Sequence, residues 1–161
     1  MTRTMLGAIT FRALGISARR ILDALLYEHM SNGGAENGNL GGTYEQLELW
    51  GVTAADVRKG YAELYATGFV RQTVQGYFAI GGQVQSRYAL TWLPTGFGRA
   101  AIPPKHEWLD VIGRLQKQGV GNVRAAKQWL RAEVADHGRG KRKVAAQVQV
   151  LRPLKREAGG R

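Results

Sequence analysis

The chain has 161 residues, 44% of them apolar and 22% charged, which suits one packed domain with appendages or two small domains. It contains no cysteine, so a disulfide framework, a Cys-ligated zinc site and a thiol nucleophile are excluded together. Its 23 Lys and Arg against 12 Asp and Glu give a formal charge of +11, a balance that draws a protein to polyanions, nucleic acid foremost.

Taken from the start, Met1 to Phe11 has a short apolar patch but neither the long apolar core nor the cleavage site of a secretory signal. No run approaches the ~18 consecutive apolar residues of a membrane-spanning helix. A cytoplasmic protein without membrane contact is expected, nucleoid-associated if bacterial. Residues 1–14 read as an N-terminal arm. Ser17 is a reasonable cap for a first helix, in which Ile21, Leu22, Leu25, Leu26 and Met30 share one face at helical spacing. Asn32-Gly33-Gly34 ends it, and the Gly- and Asn-rich run to Gly42 reads as a loop with a short strand at Asn39-Leu40-Gly41.

Thr43 opens a second helix to Trp50, and Gln46 three residues on completes a capping box. Gly51-Val52 forms a turn. Thr53, with Asp56 in the reciprocal position, opens a third helix over Ala54–Ala66, stopped by Thr67-Gly68. Two short capped helices across a tight turn is a helix-turn-helix arrangement. Phe69–Val74 and Ser86–Leu93 read as the strands of an antiparallel hairpin, with an eleven-residue connector forming a long mobile tip.

Pro94 and the Thr95-Gly96-Phe97-Gly98 that follows mark a boundary. Before it, residues 1–94 carry 8 basic and 7 acidic side chains, net +1; after it, residues 95–161 carry 15 and 5, net +10. Lys105–Gln118 and Asn122–Val134 read as helices, the second with Asn122 or Gly121 as its cap. In the second, Val123, Ala126, Trp129, Leu130 and Val134 share a face, and Arg124, Lys127, Gln128 and Arg131 form a stripe opposite. From His137 the chain becomes rich in Gly, Lys and Arg. The alternating run Val144–Val150 is open to a strand or a dimer contact.

The order helix, helix, turn, helix, two-stranded wing, carried by Thr43–Arg71, resembles the polar-x-x-Leu-x-x-x-Gly-Val-Ser/Thr-x-x-x-Val run of bacterial winged helix-turn-helix regulators. The resemblance covers residues 15–93 and names no subfamily; small regulators and replication proteins of plasmids, phages and other mobile elements use the module widely. It implies a winged helix-turn-helix domain over 15–94; with the helical extension over 95–138 and the basic tail over 139–161, read from spacing and a composition that suits disorder, a mainly α fold with a small β-hairpin (α+β) is expected.

The resemblance also implies how DNA would be met. The helix over Thr53–Ala66 is similar to a recognition helix, which enters the major groove by its N-terminal residues. Val57, Tyr61 and Leu64 would face the core; Thr53, Ala54, Ala55, Arg58 and Lys59 would face DNA. Arg58 suits a guanine edge and Lys59 a phosphate. Thr43 and Tyr44 would lie near the backbone, offering free N–H groups and a hydroxyl. Gln83, Gln85 and Arg87 would reach the minor groove or flanking phosphates from the hairpin tip. Ala54 and Ala55 offer only a methyl contact, so DNA shape or the wing would supply part of any specificity.

Each feature has a plainer alternative. Arg58 and Lys59 suit a solvated helix face, and Arg87 reads more readily as a strand-end surface residue. Gly33–Gly42 lacks the Gly-Lys-Ser/Thr ending of a phosphate loop and is a loop. His29, His106 and His137 are scattered without metal-ligand spacing, and Ser17 and Ser86 lack a paired base, so no metal, no cofactor and no enzymatic activity are implied. Trp50, Trp92, Trp108 and Trp129 suit a core or an interface. Lys141, Arg142 and Lys143, with the Arg124/Lys127/Arg131 stripe, suit a phosphate clamp, a partner-binding segment or a solvated tail.

Function on this reading is sequence-selective binding of double-stranded DNA, acting by occupancy as a transcriptional regulator, with a homodimer on a two-fold site. A replication or recombination accessory protein of a mobile element, assembling partners through its C-terminal helices, is the second reading. A protein-interaction module that does not bind DNA is the third.

Overall fold

A computed structural model describes residues 1–79, 82–96 and 101–150, with backbone alone for 78–79 and 137–150. The architecture is mixed α+β. Among the described residues it comprises helices α1 (Arg3–Gly7), α2 (Ile9–Ala13), α3 (Ile16–Ser31), α4 (Tyr44–Leu49), α5 (Ala54–Ala66), α6 (Glu107–Lys117) and α7 (Val123–Val150). Strands β1 (Val70–Val74) and β4 (Arg87–Leu90) pair antiparallel, as do β2 (Tyr77–Ala79) and β3 (Gly82–Val84). No helix among the described residues is long and apolar enough to cross a membrane.

The first fourteen residues are not an arm. Thr2 accepts a hydrogen bond from the Met5 amide and starts α1, Met5 is fully buried, and Ala13 and Leu14 sit in the same core. Nor does Ser17 cap α3: the cap is Gly15, whose N–H donates to the Glu63 carboxylate at 2.7 Å. Glu63 comes from α5 and is itself buried, so the carboxylate meets the positive end of the α3 dipole from a long way along the chain. Ile21, Leu22 and Leu25 are buried as their spacing predicts, on a helix that packs against α5, whereas Met30, further along, is 65% exposed.

Phe69 is the centre of the core and is fully buried. Phe11 meets its ring edge-on at 5.9 Å between centroids, Trp92 does so at 6.2 Å, and Trp108 stacks on it at 6.0 Å. These partners come from α2, the segment after β4, and α6. With α7 packed on both α2 and α5, through buried Ala126 and Leu130, residues before 15 and after 94 share one core with the middle of the chain. The boundaries expected at those points divide charge but not packing. Of the other tryptophans, Trp129 is half-buried and Trp50 exposed.

The expected hairpin forms, with a different tip. β1 and β4 run in register from Val70↔Leu90 to Gln72↔Tyr88, then slip at Val74↔Arg87. Beyond this irregularity the connector is not a plain loop but a second ladder, Tyr77↔Val84 to Ala79↔Gly82. Ser86 pins the junction, its hydroxyl oxygen accepting from Gly76 N at 3.0 Å and from Gln72 Nε2 at 3.2 Å. On the other edge of β4, Leu40 forms a single bridge to Tyr88 where a short strand was expected.

Buried Asn37 ties the preceding loop to this sheet. Its Nδ2 donates to the carbonyls of Leu90, Leu93 and Pro94, each at 3.0 Å, and its Oδ1 accepts from Leu90 N at 2.7 Å.

At the far end, Asn122 Oδ1 accepts from Ala125 N at 2.9 Å and starts α7, as its position predicts. The helix then continues to Val150. The expected tail therefore begins as helix over 139–150, and the Val144–Val150 run is helical and not a strand; 151–161 lie outside the described residues.

Candidate nucleic-acid interface

α4 and α5 are joined by a turn whose shape depends on Gly51, at a left-handed φ of 71°. Arg20 of α3 locks it by donating to the Gly51 carbonyl at 2.6 Å. The Thr43–Gln46 capping box is present in both directions: Gln46 N donates to the Thr43 hydroxyl at 3.2 Å and Thr43 N to Gln46 Oε1 at 3.0 Å. Those two amides are thus occupied, which corrects the expectation that they are free for a phosphate.

At the second cap the bond differs from the expected box. The Thr53 hydroxyl donates to Asp56 Oδ2 at 2.8 Å and makes no bond to the helix amides. Thr53 still occupies the cap position, and its side chain is held at the helix start.

Along α5 the two faces separate as the spacing predicts. Val57, Tyr61 and Leu64 are buried. Thr53, Ala54, Ala55, Arg58 and Lys59 are exposed. Beside this helix the β2–β3 ladder walls a cleft of about 590 Å³. Thr43 and Tyr44 from the start of α4, Arg58 from α5, and Gln83 and Gln85 from the hairpin line it together. Five residues expected to meet one ligand, drawn from three separate segments, thus converge.

Others do not converge there. Thr53 at the cap, and Ala54, Ala55 and Lys59 on α5, lie outside the lining. Arg87 sits at the base of the hairpin and not at its tip, half-buried, with its guanidinium donating to the Asn39 carbonyl at 3.3 Å. That bond makes it a structural strand-end residue. Arg124, Lys127 and Arg131 are exposed on α7 and do not line the cleft. Lys141, Arg142 and Lys143 fall on the α7 backbone, and their side chains lie outside the described residues.

The floor of the cleft is a feature that reading the sequence missed. Tyr61 stacks on Tyr88 with centroids 4.4 Å apart and on Tyr65 at 6.0 Å. Burial, followed by the neighbouring Tyr88 ring, pushes the phenol pKa of both Tyr61 and Tyr65 far above its ordinary value. The i, i+4 pair on α5 was a readable signal, but its partner comes from β4 and no local pattern indicates that. Glu45 also lines the cleft. A hydrogen bond to its own backbone amide, and then one to Thr43, hold its carboxyl below the usual range.

Among the described residues no group of three or more His, Asp or Glu is placed to hold a metal ion. No family model, curated protein or solved structure matches the chain.

Proposed function

We propose that the chain is a winged helix-turn-helix protein that binds double-stranded DNA, presenting α5 to the major groove with the bent hairpin as its wing. The observation that carries this reading is the cleft between them. It joins Arg58 on the outward face of α5 to Tyr44 and to Gln83 and Gln85 of the hairpin, three segments that a duplex lying along α5 would meet at once. The buried counter-face of Val57, Tyr61 and Leu64 fixes the helix against α3, so the contact surface is preorganised.

In this reading Arg58 contacts a base edge, Lys59 a phosphate, and Ala54 and Ala55 allow close approach without reading sequence. The domain itself is nearly neutral. Attraction to the polyanion comes from the net +10 of residues 95–161, including the exposed Arg124, Lys127 and Arg131. The consequence is regulation by occupancy, without chemistry.

Selection of bound duplexes from a random library, followed by fluorescence anisotropy across salt concentrations, tests this. A selected motif is expected, with affinity falling steeply as salt rises. Arg58→Ala is expected to weaken the selected site by about 1–3 kcal/mol and relax one base position. Absence of duplex binding at low salt would refute the proposal.

A further inference from the structure

Five of the six tyrosines in the chain line the α5–hairpin cleft. Three of them form the stacked floor. The other two, Tyr44 and Tyr77, are 62% and 59% exposed at its rim, with rings the core does not use. Tyr61, only 6% exposed, lines the floor with a hydroxyl that has no hydrogen-bond partner among the described residues. Gln72, Gln83 and Gln85 add amides, while among the described residues Arg58 is the single cation and Glu45 the single anion of the lining.

A duplex lying along α5 meets the outward Arg58 and the hairpin amides but leaves the rings of the cleft unused, since a wall that follows phosphates needs cations in a row. Rings with amides beside them match an unpaired nucleobase, which offers a π face for stacking and polar edges for hydrogen bonds. The cleft volume of about 590 Å³ falls in the range of roughly 300–1,000 Å³ typical of small-ligand sites. A neutral proline-rich peptide would also suit the rings, but a chain of net charge +11 selects the polyanion.

We infer that the cleft between α5 and the hairpin holds one unpaired nucleotide, its base stacked on Tyr77 and its polar edge facing Arg58 and the glutamine amides. The inference rests on the DNA-binding reading and adds a preference for DNA with a single-stranded or bulged position over a fully paired duplex.

The test uses the full chain and three labelled DNAs of one sequence: a blunt duplex, the same duplex with one bulged 2-aminopurine, and the single strand. The bulged DNA is expected to bind at least about 10-fold tighter than the blunt one, as one stacked base implies, with its 2-aminopurine fluorescence changed on binding. Tyr77→Ala, at an exposed position, is expected to remove about 5- to 30-fold from bulged-DNA affinity while leaving the blunt duplex within twofold. Tyr77→Phe keeps the ring and is expected to behave as the native protein.

Equal binding of blunt and bulged DNA, or parallel loss of both in Tyr77→Ala, would overturn the inference and leave duplex binding standing. Failure to bind any of the three DNAs at low salt would overturn both. Binding of a proline-rich peptide that Tyr77→Ala abolishes, without preference for the bulge, would overturn the inference in favour of a peptide site.

Discussion

Asn37 offers the sharpest test of how the hairpin is held. It is 3% exposed, and its amide links the loop before α4 to the Leu90–Pro94 segment that leads out of the sheet. A side-chain NH2 carries two hydrogens, so three carbonyls share two donors, and the Oδ1 adds one accepted bond. At about 1 kcal/mol net for each of those three bonds, Asn37→Ala is expected to cost about 3 kcal/mol.

That figure is a large share of the roughly 5–15 kcal/mol that stabilises an ordinary domain. In a thermal unfolding experiment it amounts to about 6–12 °C for a chain of this size. Asn37→Asp separates hydrogen bonding from shape. It keeps the volume but points a carboxylate at three carbonyl oxygens, so at neutral pH it is expected to be worse than Ala. The gap is expected to narrow at low pH, where protonation restores one donor. Chemical denaturation of both variants at two pH values decides it. A loss under about 1 kcal/mol for Asn37→Ala, with Asp no worse at neutral pH, would refute the account, since each buried bond should carry a measurable net term.

Three further predictions follow from the packing. Gly51 and Gly68 share a left-handed φ, 71° and 72°, but a Cβ at Gly68 would lie 2.8 Å from the Glu107 backbone, whereas at Gly51 it would meet only the tip of Arg20. Gly68→Ala is therefore expected to cost about 2–4 kcal/mol, conformational penalty plus clash, and Gly51→Ala only about 1–2 kcal/mol, measured by denaturant unfolding. Glu63→Gln keeps an acceptor for Gly15 N but removes the charge at the start of α3, for an expected loss of about 1 kcal/mol; Glu63→Ala is expected to lose more, because the amide is left unpaired. Tyr61 and Tyr65 have folded pKa values raised above the unfolded value of about 10, so above that pH the unfolded chain releases protons the native chain keeps. Stability is expected to be intact below about pH 10 and to fall as pH rises past it, and ultraviolet titration should show two tyrosines ionising only on unfolding.

What the sequence made legible was the set of signals that are complete within one turn or one strand. The Thr43–Gln46 box, the Gly51 turn, the apolar face of α5 and the Asn122 cap all depend on neighbours three to four residues away, and all stand as read. What was hidden depends on contacts between distant segments. The cap of α3, Gly15, is held by a glutamate 48 positions on, and no local signal points there in preference to nearby Ser17. Phe11 carries no periodic signal in a five-residue helix and is recognisable as core only beside Phe69. Met30 continues a perfect apolar spacing, but the core ends before the helix does, and periodicity cannot report where a facing element stops.

The same distinction governs the cleft. Arg58, Gln83 and Gln85 were nameable one by one, because each sits on an element with a readable outward face. Their meeting depends on the break between the β1–β4 and β2–β3 ladders, and that break rests on the single hydroxyl of Ser86 linking Gly76 to Gln72. The tyrosine floor needs Tyr88 to lie opposite Tyr61, which the Leu40 bridge and the β1–β4 register jointly set. Because Phe69, at the start of that hairpin, is packed by rings from before residue 15 and after residue 94, the geometry of the cleft belongs to the whole core. A fragment limited to 15–94 would keep every residue that lines the cleft and lose two of the rings that hold its wall in place.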